Sequence, residues 1–253
     1  MCIMQKTIYD LTSMDIFRAI STLIFVVISI LVGLRILLKY YKHKRKELIT
    51  VGLTWIFVSS PWWPLAFGFI SILLFGYLFD PQIYLLLMNG FSAFGVVCWI
   101  YSISVLTYPH LKKLLVSIYG VICGIYEVLL IILLFIDYRF IATKGANFDG
   151  FSYSRTLLPN VFYIFVVLTI VITAVLFCLT SLKSENPTVR WKGRFLLIGF
   201  ITFIVASAFE IFSAGSKLLQ AILRIILIFA AIEYYLGFFL PEKLKIILIK
   251  NNT

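Results

Sequence analysis

The chain has 253 residues, 62% of them hydrophobic and 13% charged, with a mean hydropathy of +1.05. A soluble domain carries about 25% charged and about 45–50% apolar residues, so this composition excludes an ordinary water-soluble core. The net charge is +11, but the cations cluster at the ends of apolar blocks. That placement is a membrane-insertion pattern and not a nucleic-acid surface, so no nucleic-acid partner is expected.

The apolar blocks are about 20 residues long or longer, which matches the hydrocarbon thickness of a bilayer. Lipid offers the backbone no hydrogen bonds, so each block must be a helix. A β-barrel would alternate apolar and polar residues in segments of about ten; runs such as Val128 to Phe135 do not alternate. The expected fold is therefore all-α, a single domain over residues 1–253 and a polytopic bundle of seven transmembrane helices. The spans are placed at 15–40, 49–79, 82–107, 111–137, 157–182, 190–213 and 217–240.

Helix 1 opens at Thr12-Ser13-Met14-Asp15, where hydroxyls and a carboxylate are available to cap orphan amides. Its apolar run, Ile16 to Leu38, is far longer than the core of a secretion signal and is read as a span, not a cleaved leader. Helix 2 is interrupted by Pro61-Trp62-Trp63-Pro64; Pro61 and Pro64 each remove a helical donor, which predicts a kink. Pro81 and Pro109 open helices 3 and 4, where a missing N–H costs little. Short connections make neighbouring helices antiparallel. Only Tyr138 to Thr156 is long enough for a lid or a surface loop. Pro241 to Lys250 reads as a basic, apolar tail, either resting on an anionic inner leaflet or solvated.

Lys and Arg are unevenly divided between the two ends of the spans. One set of ends holds Lys39 through Lys46, then Lys112 and Lys113, then Lys183 through Arg194, then Lys243 through Lys250, fourteen in all. The other set holds Lys6, Arg139, Lys144, Arg155 and Lys217. Arg18, Arg35 and Arg224 lie within spans and are not counted. The positive-inside bias places the N-terminus outside and the C-terminus in the cytoplasm, as a multi-pass protein of the cell membrane.

Charges inside spans are costly and usually face protein or water. Glu127, Glu210, Arg224 and Glu233 stand out. Glu210 and Arg224 flank the short turn Ser213-Ala214-Gly215-Ser216, about one and about two helical turns from it. A long arginine side chain can close that offset. The pair is either the charged floor of an outward-facing pocket or an ion pair that fixes the docking of helices 6 and 7. Glu233, beside Tyr234 and Tyr235, is read as an interfacial anchor. Glu127 shares a face with Gly120 and Gly124, whose GxxxG spacing lets a helix approach closely. Glu127 is a proton relay, a ligand contact or a packing residue. Asn89, Ser92 and Asn160 add polarity in the outer half.

Cys98, Cys123 and Cys178 fall inside spans and Cys2 near the N-terminus, so no disulfide framework is expected. His43 and His110 form no metal cluster, and neither a metal nor a cofactor is expected. No protease, hydrolase, nucleotide-binding or kinase motif is present, so the chain is read as a non-enzyme. Asp80-Pro81-Gln82 holds a Pro-Gln dipeptide once, without a second half to match it.

The basic entry to helix 6, Val189-Arg190-Trp191-Lys192-Gly193-Arg194-Phe195-Leu196-Leu197, and the exit Leu240-Pro241-Glu242-Lys243-Leu244 resemble the seven-helix sensor region of prokaryotic membrane histidine kinases. That resemblance implies ligand sensing from outside. No kinase follows helix 7 here, so output is expected to pass through a separate cytoplasmic or membrane signalling partner. The first functional reading is therefore a sensor- or receptor-like protein for a small-molecule or lipid ligand, lined by Glu210, Arg224, Asn89 and Glu127. The alternatives are a small-molecule or proton-coupled transporter using Glu127, and a non-catalytic scaffold using Gly120 and Gly124.

Overall fold

The computed structural model describes residues 6–144, 153–212 and 216–250. Among these, seven helical segments are long and apolar enough to cross a membrane: Ser13–His43, Glu47–Phe75, Pro81–Thr107, Pro109–Ile136, Leu157–Leu182, Pro187–Glu210 and Lys217–Phe239. The expected spans hold to within a few residues.

The first segment is helix α1 (Ser13–His43). Thr12 and Asp15 form the expected capping box: the Asp15 amide donates to Thr12 Oγ1 at 3.2 Å, and the Thr12 amide donates to Asp15 Oδ2 at 3.2 Å. The second segment breaks where the prolines require it. Helix α2 (Glu47–Val58) ends, a 3₁₀ turn covers Ser60–Trp62, and α3 (Trp63–Phe75) resumes. The indole of Trp63 donates to Ser59 Oγ at 3.1 Å across the break.

The third segment runs from Pro81 to Thr107 as one candidate span, with a one-residue interruption at Gly90. Helix α4 (Pro81–Asn89) and α5 (Phe91–Thr107) meet at Gly90. The Asn89 amide donates back to the Leu85 carbonyl at 2.9 Å there, the local competition with the helix ladder that short amide side chains introduce. Helix α6 (Lys112–Ile136) follows a 3₁₀ turn opened by Pro109. The long loop contains an antiparallel pair, β1 (Ala142–Lys144) with β2 (Tyr153–Arg155), and residues 145–152 between them lie outside the described residues. Helices α7 (Leu157–Leu182), α8 (Pro187–Phe212) and α9 (Lys217–Phe239) complete the spans. The tail forms a short helix, α10 (Glu242–Lys250), with Ile246 and Ile247 exposed.

Six segments close into a ring. In order, α1 packs on α2, α2 on α5, α5 on α7, α7 on α8, α8 on α9, and α9 back on α1. Helix α6 stands outside it against α4 and α5, the least enclosed of the seven spans. It reaches α7 through aromatic side chains, with Tyr126 and Phe162 stacked at 3.5 Å between centroids.

The middle of the ring is an aromatic core. Trp55 stacks on Tyr234 at 3.8 Å, and Trp62 meets Phe25 edge-on at 5.2 Å. The indole of Trp99 donates to Thr173 Oγ1 at 2.7 Å, joining α5 to α7. Tyr234 is fully buried here. The interfacial anchor expected around Glu233 is therefore not formed by Tyr234, whose ring the core takes up.

Two glycines let α1 and α2 touch. A Cβ on Gly52 would lie 2.5 Å from the Gly33 carbonyl oxygen, and one on Gly33 would lie 2.7 Å from the Gly52 oxygen. Gly120 and Gly124 behave differently. Nothing lies within 4 Å of a Cβ at either position, so no other described helix of the chain packs on them. The reason is the place of α6 outside the ring, which turns these glycines away from it. Gly52→Val is accordingly expected to destabilise the protein by about 1–3 kcal/mol through overpacking. Gly124→Ala is expected to leave stability unchanged or slightly raised, because alanine favours a helix. Denaturant unfolding of the detergent-solubilised protein separates the two; an undiminished Gly52→Val would refute the close approach.

Candidate functional site

The kink in the second span does more than bend it. It carries Pro61 and Trp62 toward the end of the bundle that holds the starts of α1, α7 and α9, and there they wall a cavity of about 210 Å³. Arg18 from α1 and Gln220 and Arg224 from α9 line one side, with Glu210 from α8. Tyr84 and Met88 from α4, Arg155 from β2, and Asn160 and Tyr163 from α7 line the other. Polar groups from five helices and the hairpin thus converge on one partly open space.

Glu210 and Arg224 meet across the α8–α9 pair. Arg224 Nη1 donates to Glu210 Oε2, and Nη2 donates to Glu210 Oε1 at 2.8 Å, a bidentate fork. Arg224 Nε donates to Thr22 Oγ1 at 3.0 Å, so the same guanidinium also holds α1. Its carbon lies 5.6 Å from the Trp62 ring centre. Arg224 is only 3% exposed, and its buried charge is offset by Glu210, with each of its three nitrogens donating to a partner. Ser213, Ala214 and Gly215, expected to form the connecting turn, lie outside the described residues; Ser216 caps α9 by accepting from the Leu219 amide at 3.2 Å.

A second cation system lies beside it. Arg18, 2% exposed, donates to Gln220 Oε1 at 2.7 Å and has Asp15 at 3.7 Å. Asp15 also takes Lys217 at 2.8 Å, which ties the start of α1 to the start of α9. On the far wall, Arg155 Nε donates to Asn89 Oδ1 at 3.0 Å, and its guanidinium carbon lies 4.9 Å from the Tyr163 ring centre.

Of the four lining residues expected from sequence, Glu210 and Arg224 line the cavity. Asn89 is buried behind it and holds Arg155 from the rear. Glu127 is not part of the wall. It lies beside Gly90, where a Cβ would come 3.6 Å from Glu127 Oε2, and its Oε1 is buried with no hydrogen-bond partner among the described residues. In the sequence Arg18 falls within a span and Arg155 in the long loop. Both are wall residues. Arg18 carried a legible signal, since a charge inside a span needs a partner; Arg155 carried none, because only the hairpin pairing brings it over the bundle. Among the described residues, no group of His, Cys, Asp and Glu side chains is placed to hold a metal ion.

The chain matches no protein-family model, and no curated protein matches it.

Replacing one member of the Glu210–Arg224 pair leaves the other charge without its ion-pair partner inside the bundle. Glu210→Gln is expected to cost about 3 kcal/mol of stability. A double-mutant cycle with Arg224→Gln should return a coupling of at least about 1 kcal/mol. Additive single and double variants in reversible unfolding would show that the pair does not act as a unit.

Proposed function

We propose that the protein is a receptor- or sensor-like membrane protein that takes up a small-molecule or lipid ligand in this cavity, with the N-terminus outside and the C-terminus in the cytoplasm. One observation carries the reading: polar side chains from α1, α4, α7, α8, α9 and the hairpin converge on a single cavity inside an otherwise apolar bundle. Concave sites with a few convergent polar groups are where small ligands bind. A space of about 210 Å³ lies below the usual range of about 300–1,000 Å³ for drug-sized ligands, so it suits a small molecule or the head of a larger one.

The orientation rests on the excess of Lys and Arg at the opposite end. It directs the mouth of the cavity away from the cytoplasm. The helices that form its floor, α1, α8 and α9, run from the cavity to the other face, and α9 packs along both α1 and α8. A change in how Arg224 joins them is a shift of three helices together, which is a route for output to a separate partner. The likeness of the helix 6 entry and helix 7 exit to seven-helix sensor regions agrees with this reading. A proton-coupled carrier receives less support, because Glu127 does not line the cavity.

Two measurements test it. Ser154→Cys, exposed on β2, should react with a membrane-impermeant maleimide added to intact cells, whereas Lys243→Cys on α10 should react only after permeabilisation. The reverse pattern would overturn the orientation. Native mass spectrometry of the wild type in nanodiscs should show a retained small molecule, lost in Met88→Trp, which fills the cavity without touching its charges. Equal retention by both would place the ligand elsewhere.

A further inference from the structure

The three arginines of the cavity are not equivalent. Arg224 is matched by Glu210, and Arg18 has Asp15 nearby. Arg155 has no carboxylate within 4.0 Å among the described residues. Its contacts there are the neutral amide oxygen of Asn89 and the face of Tyr163. Glu210 supplies the cavity wall with its one carboxylate among the described residues, and that carboxylate is already engaged in a fork with Arg224. The far wall therefore presents a guanidinium with no ion-pair partner within 4.0 Å among the described residues.

The geometry also fixes how that charge is presented. A guanidinium has five N–H donors in a rigid plane. Asn89 takes the Nε donor and is itself anchored, its amide nitrogen donating to the Leu85 carbonyl at 2.9 Å. Tyr163, buried against the bundle, supports one face of the plane. What remains is the outer edge of the fork, the two terminal nitrogens. That edge pairs with two oxygens of a carboxylate or phosphate. The backbone oxygen of Arg155 accepts from the Asn160 amide at 3.1 Å, which holds the residue where β2 passes into α7.

We propose that Arg155 fixes an oxyanion group of the ligand, a carboxylate or a phosphate, in this cavity; the inference rests on the ligand-binding reading above. The same chemistry is offered by a free small anion and by the headgroup of an anionic phospholipid.

The test uses the full chain in phosphatidylcholine nanodiscs, as wild type, Arg155→Gln, Arg155→Lys and Arg139→Gln. Arg139 is an exposed cation at the same end of the bundle whose side chain is 75% accessible, and it serves as the control. Thermal unfolding is followed while inorganic phosphate or acetate replaces chloride at constant ionic strength. A saturable rise in Tm is expected for wild type and Arg139→Gln. Its apparent midpoint should move by roughly tenfold or more in Arg155→Gln, as for loss of a charged hydrogen bond. Arg155→Lys should fall between them, since it keeps the charge without the fork. A second arm adds phosphatidylglycerol to the nanodisc; a rise that depends on Arg155 there and not on the soluble ions assigns the oxyanion to a lipid headgroup. No Arg155-dependent response in either arm overturns the inference. If wild type then still retains a neutral or cationic molecule that Met88→Trp loses, the binding reading stands without the oxyanion; if nothing is retained, both fall.

Discussion

An arginine within a span cannot be left facing hydrocarbon, and the rest of this structure is arranged around that constraint. Arg224 is buried, and its guanidinium is satisfied by Glu210 on α8 and Thr22 on α1 while it projects from α9. One side chain thereby links three helices. In a bundle where apolar helices gain little from meeting each other rather than lipid, such a link specifies which helices are neighbours and at what depth. It also sets the floor of the cavity, which is lined by a neutralised pair and not by an isolated charge.

The remaining packing follows from shape. Aromatic rings fill the middle of the ring of helices, where Trp55 stacks on Tyr234 and Phe203 lies against both Trp55 and Trp62, and glycines are used where backbones touch, as at Gly33 and Gly52. The proline break places Trp62 both in this core and under the guanidinium of Arg224. Core and cavity thus share a wall. Helix α6 takes no part in the ring, and its Gly120, Gly124 and Glu127 lie away from the cavity.

The wall opposite Arg224 is built by different means. Arg155 comes from a strand and not from a span, and it is positioned by Asn89 and by the pairing of β1 with β2. One side of the cavity is therefore fixed by helix packing and the other by a short hairpin. The two sides also differ in charge, since the acid that offsets Arg224 has no counterpart beside Arg155 among the described residues. An anionic group entering the cavity would complete the second side as Glu210 completes the first.

The seven spans, their approximate ends, the capping box at Thr12 and the break at Pro61 and Pro64 were legible in the residues themselves. Each is dictated by local chemistry: the length of an apolar run, a hydroxyl three residues before a carboxylate, or a ring that lacks an N–H. The Glu210–Arg224 pair was legible too, because two opposite charges inside spans on either side of a short turn have few other partners. Tertiary structure decided the rest. Helical periodicity places Gly120, Gly124 and Glu127 on one face but does not say what that face meets: Gly120 and Gly124 meet no other described helix, while Glu127 lies beside Gly90. Likewise Asn89, Arg18 and Arg155 are far apart in sequence from the residues they serve. Spacing along a chain reports which side chains share a helix face; only the closing of α9 onto α1 and of the hairpin over α7 determines which faces share a cavity.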